Sequence, residues 1–169
     1  MIKGEKIILR ACEPEDLDLL YHWENDTTMW NVTNTYIPFT RATLRKYLDS
    51  IQDIYTDKQL RLIIHDTEKP VGMIDLFEYE PHHGRAGIGI LIADAKDRGK
   101  GLANDAIVTL KRYCKDVLGM RLLFCNVLES NAASRQLFEK CNFGQVGVKP
   151  QWHRSADRYE NEIMYQILL

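Results

Sequence analysis

Arg98-Gly99-Lys100-Gly101-Leu102-Ala103 is the stretch of this chain best suited to chemistry. Two glycines and two cations sit between an apolar run, Ala86 to Ala93, and a segment with helical spacing. A strand feeding a glycine-rich turn that opens a helix aims several free backbone N–H groups at one point, at the positive end of the helix dipole. Glycines let that backbone approach a ligand with no Cβ in the way. The chemistry implied is the holding of a phosphorylated ligand. Two common phosphate loops do not fit. A P-loop needs four residues between its glycines and a Gly-Lys-Ser/Thr ending, and Gly101 is followed by Leu102. A dinucleotide fingerprint needs a third small residue where Asn104 stands. Other residues that could act are the carboxylates Asp75 and Glu78, the pair Asn131 and Ser134, and His82 with His83.

These residues need elements to position them. Ala86 to Ala93 is rich in β-branched residues and reads as a buried strand. Ala103, Ala106, Ile107, Leu110, Cys114 and Val117 form one stripe at spacings of three and four, which predicts a helix stopped at Gly119. Lys6 to Arg10 reads as a first strand. Pro14 opens a helix carrying Leu17, Leu20, Tyr21 and Trp23 and ending at Asn25-Asp26. Trp30 to Pro38 has no clear period and reads as a loop, and Thr40 caps a second helix through about Asp53. Leu60–His65 and Val71–Tyr79 predict a hairpin around Asp66-Thr67-Glu68-Lys69-Pro70. A turn over Glu80 to Gly84 leads to the strand ending at Ala93. A strand at Arg121–Val127, a helix over Asn131–Lys140 and strands near Phe143–Lys149 and Asn161–Ile167 complete the chain. The order β-α-α-β-β-β-α-β-α-β-β predicts an α/β fold, one mixed sheet of about seven strands with helices on both faces.

A length of 169 residues predicts one domain over 1–169. Hydrophobic content of 45% and charged content of 27% are those of a soluble globular protein. The net charge of −2 gives no reason to expect nucleic acid or an anionic membrane as partner. Cys12, Cys114, Cys125 and Cys141 form no C-x-x-C pair and lie in apolar patterns, so they read as reduced core residues of a cytoplasmic protein. No apolar leader precedes Glu5, and no run reaches the about 18 residues of a membrane span, so export is not expected. His82 and His83, flanked by Pro81 and Gly84, read as surface residues without a third metal ligand, and no metal is expected.

Arg98, Gly101 and Ala103 occupy every specified position of Gln/Arg-x-x-Gly-x-Gly/Ala, the acetyl-CoA loop of the GNAT N-acetyltransferases. The order of elements is similar to that family over nearly the whole chain. Asn131 to Phe143 resembles its Asn-x-x-Ser/Ala…Glu-Lys-x-Gly-Phe segment. Asp75-Leu76-Phe77-Glu78 with His82 to Ala86 is similar to the polyamine-acetylating branch, and the ribosomal-protein N-terminal acetyltransferases are a second similar group. The resemblance implies an acetyl-CoA-dependent N-acetyltransferase acting by direct transfer in a ternary complex. The acceptor is then a small amine such as spermidine, or a protein N-terminus, and a homo-oligomer is possible.

By the same resemblance, the pyrophosphate lies on the backbone of Arg98, Gly99, Lys100, Gly101, Leu102 and Ala103. The pantetheine arm lies along Leu91, Ile92 and Ala93, where a bulge at the strand end leaves backbone groups free. Asn131 either caps its helix or reaches that arm. Two positions depart from the family. Phe138 stands where many relatives carry the tyrosine that protonates the leaving thiolate, and Gly87 stands where several carry a glutamate base. Ser134, one turn before Phe138 on the same face, is then the candidate proton donor. Asp75 is a candidate water-relayed base or amine anchor, and Glu78 a second anchor. Spaced by three in a strand, Asp75 and Glu78 should point to opposite faces unless a bulge intervenes. A non-catalytic acyl-CoA-binding module is the rival from another class.

Overall fold

The computed structural model describes residues 1–33, 35–50, 53–155 and 158–169. The chain divides into two compact units, one made of Met1–Ala11 with Asp53–Leu169, the other of Cys12–Gln52.

The larger unit is built on an eight-stranded sheet in the order β1-β2-β3-β4-β5-β6-β8-β7. Its strands are β1 (Ile2–Lys3), β2 (Ile8–Ala11), β3 (Leu60–His65), β4 (Pro70–Glu80), β5 (Arg85–Ile92), β6 (Leu122–Leu128), β7 (Gly144–Ser155) and β8 (Arg158–Leu168). Every neighbouring pair is antiparallel except β5 with β6. That parallel pair needs a long crossover, and helix α5 (Leu102–Asp116) supplies it. Helix α6 (Ala132–Lys140) links β6 to β7, and the short α4 (Ile54–Asp57) precedes β3. Strand β1 is an addition to the expected order, too short to carry a periodic signal, and β7 and β8 run well beyond the expected bounds.

The core follows from the periods. Alternate residues of the central strands, Ile74, Leu76, Ile88, Leu123, Cys125 and Tyr165, meet Ala106, Ile107 and Leu110 of α5 and Phe138 of α6 in one buried cluster. Burying each large aliphatic side chain there contributes about 1.5–3 kcal/mol. The expected stripe on α5 holds from Ala106 to Cys114, but Val117 is exposed because the helix ends at that residue. Gly119, with φ +63°, follows as the expected stop.

In the smaller unit, α1 (Leu17–Glu24) buries Leu17, Leu20 and Trp23, and α3 (Arg41–Asp49) buries Leu44 and Leu48. Thr40 caps α3 as expected, its hydroxyl accepting from the Thr43 amide at 3.1 Å. The helix ends at Asp49, four residues before the expected Asp53, and residues 51–52 lie outside those described. Trp30–Thr33, expected as loop, forms the single helical turn α2. The Trp30 indole donates to the Glu24 carbonyl at 3.0 Å there, a contact no periodicity encodes.

Candidate active site

The site begins where two parallel strands part. β5 and β6 pair only at Arg85↔Leu122, Ala86↔Leu123 and Gly87↔Phe124. β5 nevertheless stays registered with β4 as far as Gly72↔Ile92, and β6 with β8 as far as Leu128↔Glu162. A wedge therefore opens after Gly87 toward the C-terminal ends of both strands. The bulge expected at Leu91–Ala93 is not there, because the β4–β5 register runs unbroken from Phe77↔Gly87 to Gly72↔Ile92. Splaying of the strands frees the backbone instead. The Ala93 amide is already used, donating to the Val71 carbonyl at 3.0 Å. Strand alternation turns the Leu91 backbone toward β4 as well and leaves the Ile92 and Ile90 amides facing the wedge. Of the three residues expected along this edge, Ile92 presents its N–H.

The turn after β5 leads to the N-terminus of α5. Gly99 and Gly101 have φ of +75° and +84°, the left-handed region that favours glycine. Gly101 is the N-cap of α5 and has no side chain to bond the first-turn amides. Two other helices close themselves: Thr40 caps α3, and Asn131 Oδ1 accepts from the Ser134 amide at 3.1 Å to cap α6. The amides opening α5 are thus left for an external anion.

The side chains of this turn are tied inward. Arg98 Nε donates to the Ile92 carbonyl at 3.1 Å and Nη2 to the Ala93 carbonyl at 2.9 Å, locking the turn to the strand end. Lys100 Nζ donates to Asp97 Oδ1 at 2.8 Å, so its charge is directed at a carboxylate. Lys69 holds the other oxygen of Asp97 at 2.7 Å. With its side chain only 4% exposed, Asp97 would resist ionisation; the hydrogen bonds from Lys100, then Lys69, outweigh this and hold its carboxyl down to about 2. Asp97 is not legible as a site residue from sequence, since one acid in Asp94-Ala95-Lys96-Asp97 looks like a solvated face.

The sheet beside the wedge carries the acceptor candidates. Asp75 is bound on both oxygens by Arg61, its cross-strand partner, at 2.9 and 2.8 Å. A carboxylate so held shares with Arg61 whatever part it takes in the reaction. The opposite-face expectation for Asp75 and Glu78 excepted a bulge, and a bulge is there. β4 carries an extra residue between Phe77↔Gly87 and Glu80↔Arg85, and Glu78 has φ +48° there. Leu76 and Tyr79, three apart, consequently join the same core cluster, and Glu78 stands exposed, with no hydrogen bond or ion pair from its side chain among the described residues. Gly87 is explained by Phe77: a Cβ at Gly87 would lie 2.2 Å from the Phe77 ring, which packs edge-on against Phe124 at 5.7 Å.

On α6, Phe138 is 4% exposed and packs edge-on against Phe143 at 5.2 Å, well inside the core. Ser134, one turn earlier, is half-buried, and its hydroxyl has no hydrogen-bond partner among the described residues. The four cysteines are buried and none is in a disulfide. Burial pushes the Cys114 thiol up to about 12 and raises Cys125 further, which keeps both protonated and unreactive. His82 and His83 are exposed in their turn, edge to face with each other. Among the described residues no group of three His, Cys, Asp or Glu side chains could hold a metal, and no helix is long and apolar enough to cross a membrane.

A mixed sheet with one splayed parallel pair, and an uncapped helix N-terminus beside the splay, is the architecture to be placed among known proteins. Residues 6–144 match the model of the acetyltransferase (GNAT) domain, and the chain belongs to that family of acetyltransferases. The SPbeta prophage-derived uncharacterized N-acetyltransferase YokL of Bacillus subtilis is 25% identical over 144 residues, covering 85% of this chain and 79% of that protein. Human alpha/beta-tubulin-N-acetyltransferase 9 is 24% identical, covering 88% of this chain and 77% of that protein. Spermidine N-acetyltransferase from Vibrio cholerae, solved in complex with CoA and spermine, superposes with a TM-score of 0.87. At 22% identity over 98% of this chain and 96% of that one, this is a likeness of fold.

Proposed function

We propose that this acetyltransferase binds acetyl-CoA with its pyrophosphate on the backbone of Arg98–Ala103 and its pantetheine arm along the wedge, and that it acetylates a small polyamine. The observation that carries the reading is the uncapped N-terminus of α5 beside the open end of β5. Acetyl-CoA, when bound, supplies an acyl thioester open to attack by an amine.

The chain's own groups then have distinct tasks. First-turn amides of α5 hold anionic oxygens, and the open turn at Gly99, where an added Cβ would meet nothing within 4 Å, leaves room for them. The Ile92 N–H, turned into the wedge, donates to the oxygen that gains charge during attack. Ser134 Oγ, with no partner among the described residues, passes its proton to the departing sulfur as it takes one from the attacking nitrogen, so that the proton lost by the amine ends on the CoA thiol. The thiols are all buried, so none serves as a nucleophile, which supports direct transfer between two bound substrates. Glu78 holds a distal ammonium of the acceptor. Asp75 enters as half of a fixed pair with Arg61 lining that face, and not as the base. Both units are taken as one catalytic domain, acting in a reducing, cytoplasmic setting.

A protein amine is the second reading of the acceptor, favoured by the similarity to the human tubulin acetyltransferase. Thiol release measured side by side with spermidine, putrescine and a short alanine- or serine-headed peptide separates the two. Turnover with polyamines supports the first reading; turnover with the peptide alone replaces it with the second.

A further inference from the structure

Five cations lie in or reach the connection that precedes α5; Lys96 pairs with Asp94 at 3.4 Å, and three more are committed. Lys69 and Lys100 share Asp97, and the Arg98 guanidinium is spread over two backbone carbonyls. The fifth, Lys6, comes from the far end of the chain, on the β1–β2 connection. Its ammonium donates to the Lys100 carbonyl at 3.3 Å and lies 3.3 Å from where a Cβ would sit on Gly101. It forms no ion pair among the described residues.

This placement is built. Asp105, in the first turns of α5 and 9% exposed, accepts hydrogen bonds from three successive amides, Glu5 at 3.2 Å, Lys6 at 2.7 Å and Ile7 at 3.1 Å. Gly4 permits the approach, since a Cβ there would lie 2.6 Å from Asp105 Oδ2 and 2.7 Å from Thr109 Oγ1. The Gly4–Ile7 turn is therefore clamped onto the helix, and Lys6 is carried to its N-cap. For stability alone the sign is wrong. A cation beside the N-terminus of a helix meets the positive end of the dipole and the uncapped amides, and both favour an anion. An anion lying between amides and ammonium reconciles the arrangement.

We infer that Lys6 is a cofactor-binding residue, contributing a charge to the pyrophosphate of acetyl-CoA that the turn's own lysine and arginine do not. The inference rests on the placement of acetyl-CoA at this turn. The test is calorimetry of Lys6→Gln and Lys6→Arg with acetyl-CoA, with dephospho-CoA and with the phosphate-free acetyl-pantetheine. We expect Lys6→Gln to weaken acetyl-CoA and dephospho-CoA about fivefold, less so at high salt, with Lys6→Arg near wild type and acetyl-pantetheine unaffected. Unchanged acetyl-CoA affinity in Lys6→Gln, or an equal loss with acetyl-pantetheine, overturns the inference. A loss with acetyl-CoA that vanishes with dephospho-CoA overturns the pyrophosphate assignment in favour of the 3′-phosphate. Failure of the wild-type protein to bind acetyl-CoA overturns instead the reading beneath it.

Discussion

The turn at the N-terminus of α5 and the sheet face carrying Asp75 and Glu78 both adjoin β5 and are built on opposite principles. At the turn, backbone amides are left unsatisfied, while Lys69 and Lys100 are tied to Asp97, Lys96 to Asp94 and Arg98 to carbonyls, and Lys6 meets one carbonyl with no ion pair among the described residues. On the sheet face the backbone is paired through β4 and β5, and identity rests on side chains: Arg61 on Asp75, Phe77 over Gly87, Glu78 lifted out by a bulge. Backbone sites tolerate drift in side chains, whereas side-chain sites are rewritten by single replacements. The contrast explains why the two halves speak so differently about the cofactor and the acceptor.

The sharpest way to break the comparison is at α6, which follows β6 across the splay. If Ser134 protonates the leaving sulfur, Ser134→Ala lowers turnover about tenfold to a hundredfold where chemistry is rate-limiting. Single-turnover kinetics check this, and full turnover returns Ser134 to an ordinary helix residue. Restoring the familiar tyrosine does not help: Phe138 lies in the core against Phe143. Phe138→Tyr buries a hydroxyl there and costs about 1–3 kcal/mol in denaturant unfolding, without a gain in rate.

On the sheet face, Glu78→Gln raises the KM for spermidine about fivefold, the worth of one partly exposed ion pair, and leaves the KM for acetyl-CoA unchanged. Equal rises in both would remove Glu78 from the acceptor side. The smallest effect lies under the turn. Asp97 has its folded-state pKa depressed from 3.8 to about 2, so its contribution to stability is complete above 3.8 and is lost as pH falls toward 2. The stability gap between the wild type and Asp97→Asn should be widest near neutral pH and shrink through that window. A gap independent of pH would mean the carboxylate is not held by its two lysines.

The strand, turn and helix from β5 to α5 are legible in the sequence because their signals are local: a β-branched run, two glycines, and a helical stripe with its stop. Long-range facts are not legible there. Arg61 lies 14 residues from Asp75 and meets it only through the β3–β4 register. The bulge at Glu78 has no residue signature, since a non-glycine residue holds the left-handed position. Lys6 and Asp105, 99 residues apart, are joined only once β1, β2 and α5 have assembled. Gly87 and Phe138 stand out in the sequence as departures, but their physical cause, aromatic rings filling the space, emerges only in the packed core.

The central claim is that phosphates lie against the backbone of the turn, and Gly101→Val tests it most directly. Valine at φ +84° is strained, and its Cβ stands 3.3 Å from the Lys6 ammonium. Calorimetry on the folded variant, its secondary structure checked by circular dichroism, should show acetyl-CoA affinity reduced by about tenfold or more. Wild-type affinity in a folded Gly101→Val protein would contradict the account.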